Sequence, residues 1–349
     1  MTRVLQAIAG ARHGGAEGFF ERLVLALDRA GLEQRVVIRR DPRRAKLLKE
    51  GGIAPVELAF GGWLEFATRQ ALKREIASFK PHVVLTWMSR ASSFCPRSTR
   101  ALPFVQVGRF GGYYKLKYFK HCAHLIGNTP DIVDYIRRNK WPAERAHYLP
   151  NFVAAMRADP AARAGLYTPA DAPLLLALGR LHENKAFDVL LRAVKEVPGA
   201  YLWLAGAGEE AAALKRLAQD LGIASRVRFL GWREDVAALL AAADVFVCPS
   251  RHEPLGNVVI EAWSAGKPVV AARAAGPAAL IRDGETGLLA PVNDVVALAV
   301  AIKRLIADAA LRTRLAEAGH RVYEAQFTEA SVVAHYRAFF DRVAAEDRA

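Results

Sequence analysis

Short aliphatic runs alternate with longer segments of helical periodicity along almost the whole chain. The run Val4–Ala9 is followed by helix-spaced apolar residues at Ala16–Ala30, and Leu174–Leu178 is followed in the same way by Phe187–Glu196. A change from a short aliphatic run to a period near 3.6 residues indicates a strand followed by a helix. Repeated βα units build parallel sheets covered by helices, so we predict an α/β fold with doubly wound parallel sheets.

These units form two series, each with the form of one Rossmann-like sheet. The first series predicts strands at Val4–Ala9, Val36–Arg39, Val83–Trp87, Phe104–Val107, His124–Gly127 and Ala146–Leu149, with helices at Ala16–Ala30, Leu64–Ser78 and Asp131–Asn139. The second predicts strands at Leu174–Leu178, Ala200–Ala205, Val227–Leu230, Val245–Cys248, Val269–Ala271 and Leu288–Ala290, with helices at Phe187–Glu196, Glu209–Leu221, Val236–Ala242, Asn257–Ala265, Asp294–Asp308 and Ala310–Tyr323.

A stretch rich in Ala and Pro and without apolar periodicity, Ala154–Pro173, separates the two series. We predict an N-terminal Rossmann-like domain over residues 1–160 and a C-terminal one over residues 170–327, since 349 residues exceed one typical domain. Helical spacing after a capping threonine predicts a final helix at 328–345 that packs back on the first domain. We expect ligands in a cleft at the carboxyl ends of the strands.

The bulk composition predicts a cytoplasmic protein. No window of eighteen or more apolar residues occurs, and the N-terminus lacks the apolar core and cleavage site of a signal peptide. The three cysteines, Cys95, Cys122 and Cys248, are far apart and without paired spacing. Neither a disulfide framework nor a zinc site is therefore indicated.

The positive charge of the chain is concentrated in its first part. The formal net charge is +14, and residues 1–150 hold 26 Lys and Arg against 12 Asp and Glu. The rest of the chain is balanced, and no acidic residue occurs from Ile76 to Pro130. We therefore expect a positive face on the N-terminal domain that favours an anionic partner.

The segment Ser250–Val270 predicts a phosphate site at the start of a helix. Pro254 fixes φ just before the predicted helix that begins at Asn257. A helix start leaves backbone N–H groups unpaired and carries partial positive charge, which favours a diphosphate. The donors in question belong to Leu255, Gly256, Asn257 and Val258.

Two carboxylates flank this predicted phosphate site. Glu261 lies one turn after Asn257, where it can accept hydrogen bonds from ribose hydroxyls, and Glu253 precedes the helix on the sugar side. The alternative is that Glu253 is only a helix-entry acid favoured by the dipole and Glu261 a solvated helix residue. A second set of residues favours the functional interpretation.

This second set lies in Ala177–Val194, where a predicted strand ends near Gly179 and Arg180 and Lys185 follow on the turn. Two cations five residues apart can clamp the oxygens of a leaving diphosphate, Arg with its planar fork and Lys as a point charge. No Asp-x-Asp pair that could hold a divalent ion on a diphosphate occurs in the chain, so we predict no metal. Either cation alone could equally be a solvated surface charge.

Three further turns give weaker signals. Gly206 and Gly208 follow a strand and would allow a ligand close to the backbone, although βα turns favour glycine in general. Arg233, beside Trp232, lies at another strand-to-helix turn that could border a nucleobase. Gly15 follows strand one, where backbone N–H groups could approach a phosphate or sugar hydroxyl, and the alternative is a glycine needed only for packing.

Together, the motifs EPLGNVVIE, GRLHENK, GAGEE, GWREDVAALLAAADVFVCPS and the N-terminal GGAE loop resemble glycosyltransferase family 4, retaining enzymes of the GT-B fold. The likeness is dense from about Leu174 to Phe327 and sparse from Val36 to Asn151. It implies two Rossmann-like domains facing a central cleft, with the donor on the second and the acceptor on the first. It also implies a UDP- or GDP-linked sugar as donor, and neither a cofactor nor a metal.

The resemblance assigns roles to individual residues. Arg180, Lys185 and Glu253 form the predicted catalytic group. Donor binding is expected from Gly15, Gly179, Gly206, Gly208, Arg233, Pro254, Leu255, Gly256, Asn257 and Glu261. The resemblance also implies a front-face displacement, in which the acceptor hydroxyl attacks beside the departing diphosphate and gives it the proton. Many carry a histidine after the fourth strand; here that run, PFVQVGRFGGYY, holds Arg109, which we assign to the sugar or acceptor.

The basic first domain suits an anionic glycolipid or saccharide acceptor at the cytoplasmic leaflet. Candidate contacts are Arg109, Tyr113 and Lys115, the surrounding run Gly111–His121, and the run Arg39–Glu50; a solvated basic surface is the alternative. By analogy with bacterial relatives, we expect a monomeric hexosyltransferase of lipopolysaccharide or other cell-envelope glycan assembly. We expect it in the cytoplasm, peripherally bound to the inner membrane.

Other functions share parts of this pattern. A nicotinamide dehydrogenase would carry a Gly-x-Gly-x-x-Gly turn after strand one, and the sequence ARHGGAEG after Gly10 does not match. A nucleic-acid-binding protein would explain the basic half, but no binding motif is visible, so no nucleic acid partner is expected. A nucleotide-sugar epimerase or a phosphorylase shares the architecture and stays the alternative among sugar enzymes.

Overall fold

The computed structural model describes residues 2–12, 14–61 and 66–346. The chain divides into two compact units, one of Met1–Asn151 with Glu329–Ala349 and one of Phe152–Thr328. In both units, parallel strands alternate with helices. The predicted α/β fold with doubly wound parallel sheets is confirmed.

The described part of the N-terminal unit contains a seven-stranded parallel sheet in the order β3-β2-β1-β4-β5-β6-β7. The strands are β1 (Val4–Ile8), β2 (Gln34–Arg39), β3 (Val56–Leu58), β4 (Val83–Trp87), β5 (Val105–Phe110), β6 (His124–Gly127) and β7 (Ala146–Tyr148). The helices are α1 (Gly15–Arg29), α2 (Pro42–Glu50), α3 (Phe66–Phe79), α4 (Met88–Phe94), α5 (Pro130–Arg138) and, from the end of the chain, α13 (Glu329–Glu346).

Most predicted elements of this unit lie within two residues of the observed ones. The exception among the strands is β5, which extends to Phe110 instead of ending at Val107. Elements β3, α2 and α4 were not predicted. Strand β3 is only three residues long, and α2 is dominated by basic side chains. The predicted start of α3 at Leu64 lies outside the described residues.

Aromatic side chains fill the interior of the N-terminal unit. Trp87, at the end of β4, is fully buried and packs edge-on against Phe20 of α1, with ring centroids 5.2 Å apart. Helix α13 adds the fully buried Tyr336 and Phe340 to this interior. Large aromatic rings of this kind supply much of the apolar area that a domain core buries.

The described part of the C-terminal unit contains a six-stranded parallel sheet in the order β10-β9-β8-β11-β12-β13. Its strands are β8 (Leu174–Leu178), β9 (Tyr201–Ala205), β10 (Val227–Gly231), β11 (Val245–Cys248), β12 (Val269–Ala272) and β13 (Leu288–Ala290). Its helices are α6 (Phe187–Lys195), α7 (Ala211–Asp220), α8 (Val236–Ala242), α9 (Asn257–Ser264), α10 (Ala275–Leu280), α11 (Val295–Ala307) and α12 (Ala309–Gln326). The short α10, with Gly and Pro in its sequence, was not predicted.

The sheet of the C-terminal unit is buried on both faces. Leu175 and Ala177 of β8 pack into one apolar cluster, while Leu174 and Leu176 of the same strand pack into another. Parallel strands covered by helices on both sides have continuous apolar sequences, which explains the uninterrupted LLLAL of β8.

Strand order reverses between β1 and β4 in the N-terminal unit and between β8 and β11 in the C-terminal unit. At such a switch point the two following connections turn to opposite faces of the sheet, which opens a crevice at the carboxyl ends of the strands. The loops after β8 and β11 are therefore where a ligand of the C-terminal unit is expected. No helix in the described ranges is both long and apolar enough to cross a membrane.

Candidate functional site

The loops after β8 and β11 are bonded to each other at the switch point of the C-terminal unit. The backbone N–H groups of Arg251 and His252 both donate to the carbonyl oxygen of Asn184, at 2.8 and 3.1 Å. The Arg251 guanidinium also forms a paired hydrogen bond with the Asp188 carboxylate, at 2.8 and 2.7 Å. Burial would raise the pKa of Asp188, but the guanidinium outweighs it and lowers the pKa.

Lys185 and Glu253 meet where these two loops join. The Lys185 ammonium donates a short hydrogen bond to Oε2 of Glu253, and Oε1 accepts from the backbone N–H of Gly256 at 3.3 Å. Glu253 is 8% exposed. This point of the fold therefore already holds an anion between an ammonium and a helix start.

Helix α9 begins immediately after this carboxylate. Gly256, in the position before the helix, has φ of 69°, and a Cβ there would lie 2.7 Å from Cδ1 of Leu280. The left-handed backbone conformation favours a glycine here, and a Cβ would also displace the Leu280 side chain. Gly256 has no side chain with which to cap α9, and Pro254, Leu255 and Asn257 around the helix start are half-buried. Glu261 is half-buried one turn further along the helix.

Arg180 extends from the same loop as Lys185 but pairs with a different acid. Its guanidinium lies 3.2 Å from Oε2 of Glu209, with side chains 70% and 50% exposed. His182 Nε2 lies 3.7 Å from Oε1 of the same Glu209. Neither Glu209 nor His182 was predicted as a site residue, although they belong to the motifs GAGEE and GRLHENK, which contribute to the family resemblance.

The two glycines of the loop after β9 let this loop approach the loop after β8. A Cβ on Gly206 would lie 1.8 Å from the carbonyl oxygen of Gly179, and a Cβ on Gly208 would lie 2.3 Å from that of Leu181. Both distances are far below any real contact. The structure thus gives both glycines a packing role beside the predicted site, and their contact with a donor stays a prediction.

The loop after β10 presents an exposed tryptophan. Trp232 is 77% exposed, and the neighbouring Arg233 is held by Asp235 through a hydrogen bond of 2.7 Å from Nε. That hydrogen bond to Asp235 raises the pKa of Arg233 above its ordinary value. Contact of either side chain with a nucleobase stays a prediction.

Gly15 lies at the switch point of the N-terminal unit. It is the first residue of α1, after a loop that Glu17 secures by accepting from the backbone N–H of Ala11 at 2.8 Å. A Cβ on Gly15 would meet no atom within 4 Å, so packing within the described structure does not require a glycine there.

The assignment of Arg109 to the sugar or acceptor does not fit the structure. Arg109 is a β5 residue, 1% exposed, and its guanidinium donates to the Tyr336 hydroxyl at 2.8 Å and to Asn151 Oδ1 at 2.6 Å. It also lies 4.2 Å from the ring centroid of Trp87. Gly108 and Arg109 were expected to follow a strand, but β5 continues through them, which directs the guanidinium into the interior.

The run Arg39–Glu50 is only in part the basic surface that was predicted. Its residues from Pro42 form α2, capped by Asp41, whose carboxylate accepts from the backbone N–H of Arg44 at 3.2 Å. The side chain of Arg44 is fully buried and paired with Glu21 at 3.0 Å. This arginine is a structural cation of the N-terminal unit and not a surface contact.

Tyr113 and Lys115 lie on the surface of the N-terminal unit. Tyr113 is 46% exposed, and its hydroxyl hydrogen bonds to Asp131. Burial and this neighbouring carboxylate raise the pKa of Tyr113 to about 12. Lys115, Lys117 and Lys120 are exposed beside it, so this part of the predicted basic surface exists.

The predicted site residues thus fall into two sets. Arg180, Lys185, Glu253 and the start of α9 lie together at one edge of the C-terminal sheet, whereas Gly15, Tyr113 and Lys115 belong to the N-terminal unit. No group of three or more His, Cys, Asp or Glu side chains that could hold a metal ion occurs in the part of the chain that the structure describes.

Comparison with known proteins identifies the family. A family model described as Glycosyl transferases group 1 matches residues 172–308, and one described as Glycosyltransferase Family 4 matches residues 13–157. The lipopolysaccharide core biosynthesis glycosyltransferase LpsE of Rhizobium meliloti (strain 1021) is 41% identical over 332 residues, which are 93% of this chain and 95% of the relative. LpsD of the same strain is 39% identical over 336 residues, 94% of this chain and 95% of the relative.

Solved structures match the fold of the whole chain. A glycosyltransferase from Rickettsia africae ESF-5 has a TM-score of 0.85 at 17% identity and covers 98% of both chains. Anabaena Alr3699/HepE in complex with UDP has a TM-score of 0.82 at 20% identity, covering 98% of this chain and 100% of that one. With the two relatives and both family matches, these likenesses lead to one conclusion: the chain belongs to glycosyltransferase family 4 and is a GT-B glycosyltransferase related to the enzymes of lipopolysaccharide core biosynthesis.

Proposed function

We propose that this enzyme is a retaining, metal-independent hexosyltransferase whose donor is a UDP- or GDP-linked sugar. The observation that carries the proposal is the carboxylate of Glu253, held between the Lys185 ammonium and the N–H of Gly256 at the start of α9. An ammonium and a helix start are the two kinds of group that proteins use to bind phosphate. A donor diphosphate is the ligand that suits the ammonium and the helix start beside this carboxylate.

The rest of the donor fits the neighbouring elements. Anabaena HepE was solved with UDP, which supports a nucleoside diphosphate as the bound part of the donor. Glu261, half-buried one turn into α9, accepts hydrogen bonds from the ribose hydroxyls in this proposal. Trp232 and Arg233, on the loop after β10, border the nucleobase in this proposal.

The proposed chemistry needs charge stabilisation and no protein nucleophile. As the glycosidic bond to the diphosphate breaks, negative charge develops on the leaving oxygen, and Arg180 and Lys185 stabilise it. The acceptor hydroxyl attacks from the same face and transfers its proton to that oxygen, which retains the anomeric configuration. Fixed cations lower such a barrier because they are oriented before the reaction begins.

The acceptor in this proposal is an anionic glycolipid or saccharide of the lipopolysaccharide core, met at the cytoplasmic face of the inner membrane. The supporting observation is the exposed set of basic and aromatic side chains Tyr113, Lys115, Lys117, Tyr118 and Lys120 on the N-terminal unit. Basic and aromatic side chains together favour an anionic membrane surface.

A donor screen tests the proposal first. A selective nucleotide sugar raises the melting temperature by mass action, so UDP-, GDP- and ADP-sugars are compared by thermal shift. Transfer is then measured as nucleotide release with a truncated lipopolysaccharide core as acceptor, with and without EDTA. We expect acceptor-dependent release that EDTA does not change, and NMR of the product gives the anomeric configuration. An epimerase would instead convert the nucleotide sugar into its epimer without an acceptor, and a phosphorylase would form a sugar 1-phosphate from a glycan and inorganic phosphate without consuming the nucleotide sugar.

Two variants test the site itself. We expect Lys185→Ala and Glu261→Ala each to lower transfer by about 100-fold or more, because each removes a preorganised contact with the donor. Lys195→Ala is the matched control, since it removes an exposed lysine at the end of α6 in the same unit. Near-normal transfer by both site variants would reject the assignment of the donor site.

A further inference from the structure

Glu209 is the acid that faces Arg180 at the predicted diphosphate site. The Arg180 guanidinium approaches both carboxylate oxygens, at 3.4 and 3.2 Å, and His182 Nε2 lies 3.7 Å from Oε1. Two N–H donors from the loop after β8 therefore face one carboxylate from the loop after β9.

The orientation of His182 is fixed by the backbone. Its Nδ1 accepts a hydrogen bond from the N–H of Asn184 at 3.0 Å, so in the neutral ring the proton is on Nε2. The Nε2 of His182 lies 3.7 Å from Oε1 of Glu209, a contact longer than a hydrogen bond. Arg180 is thus the hydrogen-bond donor of a position for an anionic oxygen, with His182 close beside it, and Glu209 occupies this position.

The same pattern occurs at Lys185, whose partner is Glu253. Both cations that the proposed function gives to the donor diphosphate are thus paired with carboxylates of the same unit. The two acids differ in burial, because the side chain of Glu253 is 10% exposed and that of Glu209 is 50% exposed. Glu209 can therefore rotate into water at low cost, whereas Glu253 cannot.

We propose that Glu209 is a positioning residue whose carboxylate occupies, in the free enzyme, the position that a diphosphate oxygen of the donor takes. It keeps Arg180 and His182 facing this position, leaves it when the donor binds, and returns when the nucleoside diphosphate departs. This inference rests on the proposed function and deepens it by assigning a residue that competes with the product. No bond is made or broken in the exchange.

Further observations agree with this exchange. The pKa of Glu209 is held below its ordinary value by a hydrogen bond from its own backbone N–H and by attraction to Arg180 and His182. The carboxylate is therefore ionised at neutral pH and competes with phosphate as an anion. Glu210, the next residue, is half-buried at the start of α7 and forms no ion pair within the described residues, whereas Glu209 is exposed and paired with Arg180.

The test compares Glu209→Gln with Glu210→Gln, which make the same change in net charge one residue apart. Dissociation constants for UDP, GDP, uridine and guanosine are measured by calorimetry, with melting temperatures as the check on folding. We expect Glu209→Gln to lower the dissociation constant of the nucleoside diphosphate that the wild type binds. The decrease should exceed that caused by Glu210→Gln by about two- to fivefold, the range for an exposed ion pair. The matching nucleoside, which has no phosphate, should show no such difference.

A second comparison isolates the pair. In an Arg180→Gln background the tightening by Glu209→Gln should disappear, because the cation for which carboxylate and phosphate compete is gone. In steady-state transfer, Glu209→Gln should lower the inhibition constant of the product nucleotide, a change that a purely structural role would not produce.

The outcomes separate the inference from the proposed function. Equal shifts in the two variants, or weaker binding by Glu209→Gln, would overturn the exchange while leaving the donor site intact. If the folded wild type binds neither UDP nor GDP, the proposed function itself fails and the exchange fails with it.

Discussion

Replacement of Lys185 by alanine is expected to destabilise the C-terminal unit as well as to abolish transfer. The Lys185 ammonium is the hydrogen-bond partner of Glu253 Oε2, and Oε1 of the same carboxylate is bonded to the N–H of Gly256. Removing the ammonium leaves a nearly buried carboxylate with one N–H partner. The substitution therefore lowers the stability of the C-terminal unit by a magnitude that can be worked out.

That magnitude follows from the burial of the pair. Removing one partner of a fully buried ion pair costs about 3–5 kcal/mol. The side chains of Lys185 and Glu253 are 23% and 10% exposed, so water replaces part of what is lost. We therefore expect about 2 kcal/mol, within the range for a charged group that loses a hydrogen-bond partner. For a unit of this size, that corresponds to a decrease of roughly 4–8 °C in melting temperature.

Calorimetric melts of the wild type, Lys185→Ala and the double variant Lys185→Ala with Glu253→Gln provide the test. The double variant removes the unpaired charge, so it should recover about half or more of the lost melting temperature while transfer stays abolished. Stability and catalysis are thereby separated. A single variant that melts within about 1 °C of the wild type would refute the reasoning, as would a double variant that melts no higher than the single one.

Four further substitutions have outcomes that the structure defines. Arg109→Met should lower the melting temperature, since it strips the buried Tyr336 hydroxyl of its charged partner at a cost of about 1–3 kcal/mol, without changing the dissociation constant of the nucleotide. Gly206→Ala should unfold or strongly destabilise the C-terminal unit, because the added Cβ has no space. Gly15→Ala should leave the melting temperature unchanged, and thermal melts measure both effects. Burial, and to a smaller extent neighbouring positive groups, lowers the pKa of His147 from 6.5 to about 4. Between these two pH values the unfolded chain therefore binds a proton at this histidine that the folded chain does not bind. Stability should therefore fall as the pH decreases from 6.5 to about 4, and His147→Gln should make the melting temperature less dependent on pH in that window.

The alternation of strands and helices was predictable because buried parallel strands have uninterrupted apolar sequences. Strand β8, with LLLAL, and β11, with VFVC, could be located to the residue for this reason. Strand β3 could not, since three residues that include the exposed Glu57 show no pattern. Helix α2 was missed because long basic side chains hide the few apolar positions that it buries, Ala45 and Leu48.

The candidate site was predictable where a single stretch of sequence contains both the signal for a helix start and the residues expected to bind phosphate. Pro254, Gly256 and the apolar helix that follows indicate a helix start from local sequence alone. The interior position of Arg109 depends instead on Tyr336, which is 227 residues away in the sequence and joins it only in the folded unit. No local spacing carries that information, and the same holds for the pairing of Arg180 with Glu209.

The two hydrogen bonds that the carbonyl oxygen of Asn184 accepts from the backbone of Arg251 and His252 tie the loop after β8 to the loop after β11. A change in the length of either loop would move Lys185 away from Glu253, whereas an exchange of side chains within the loops leaves the backbone link in place. The pairing of these two residues therefore depends on the lengths of both loops more than on the identity of their exposed side chains.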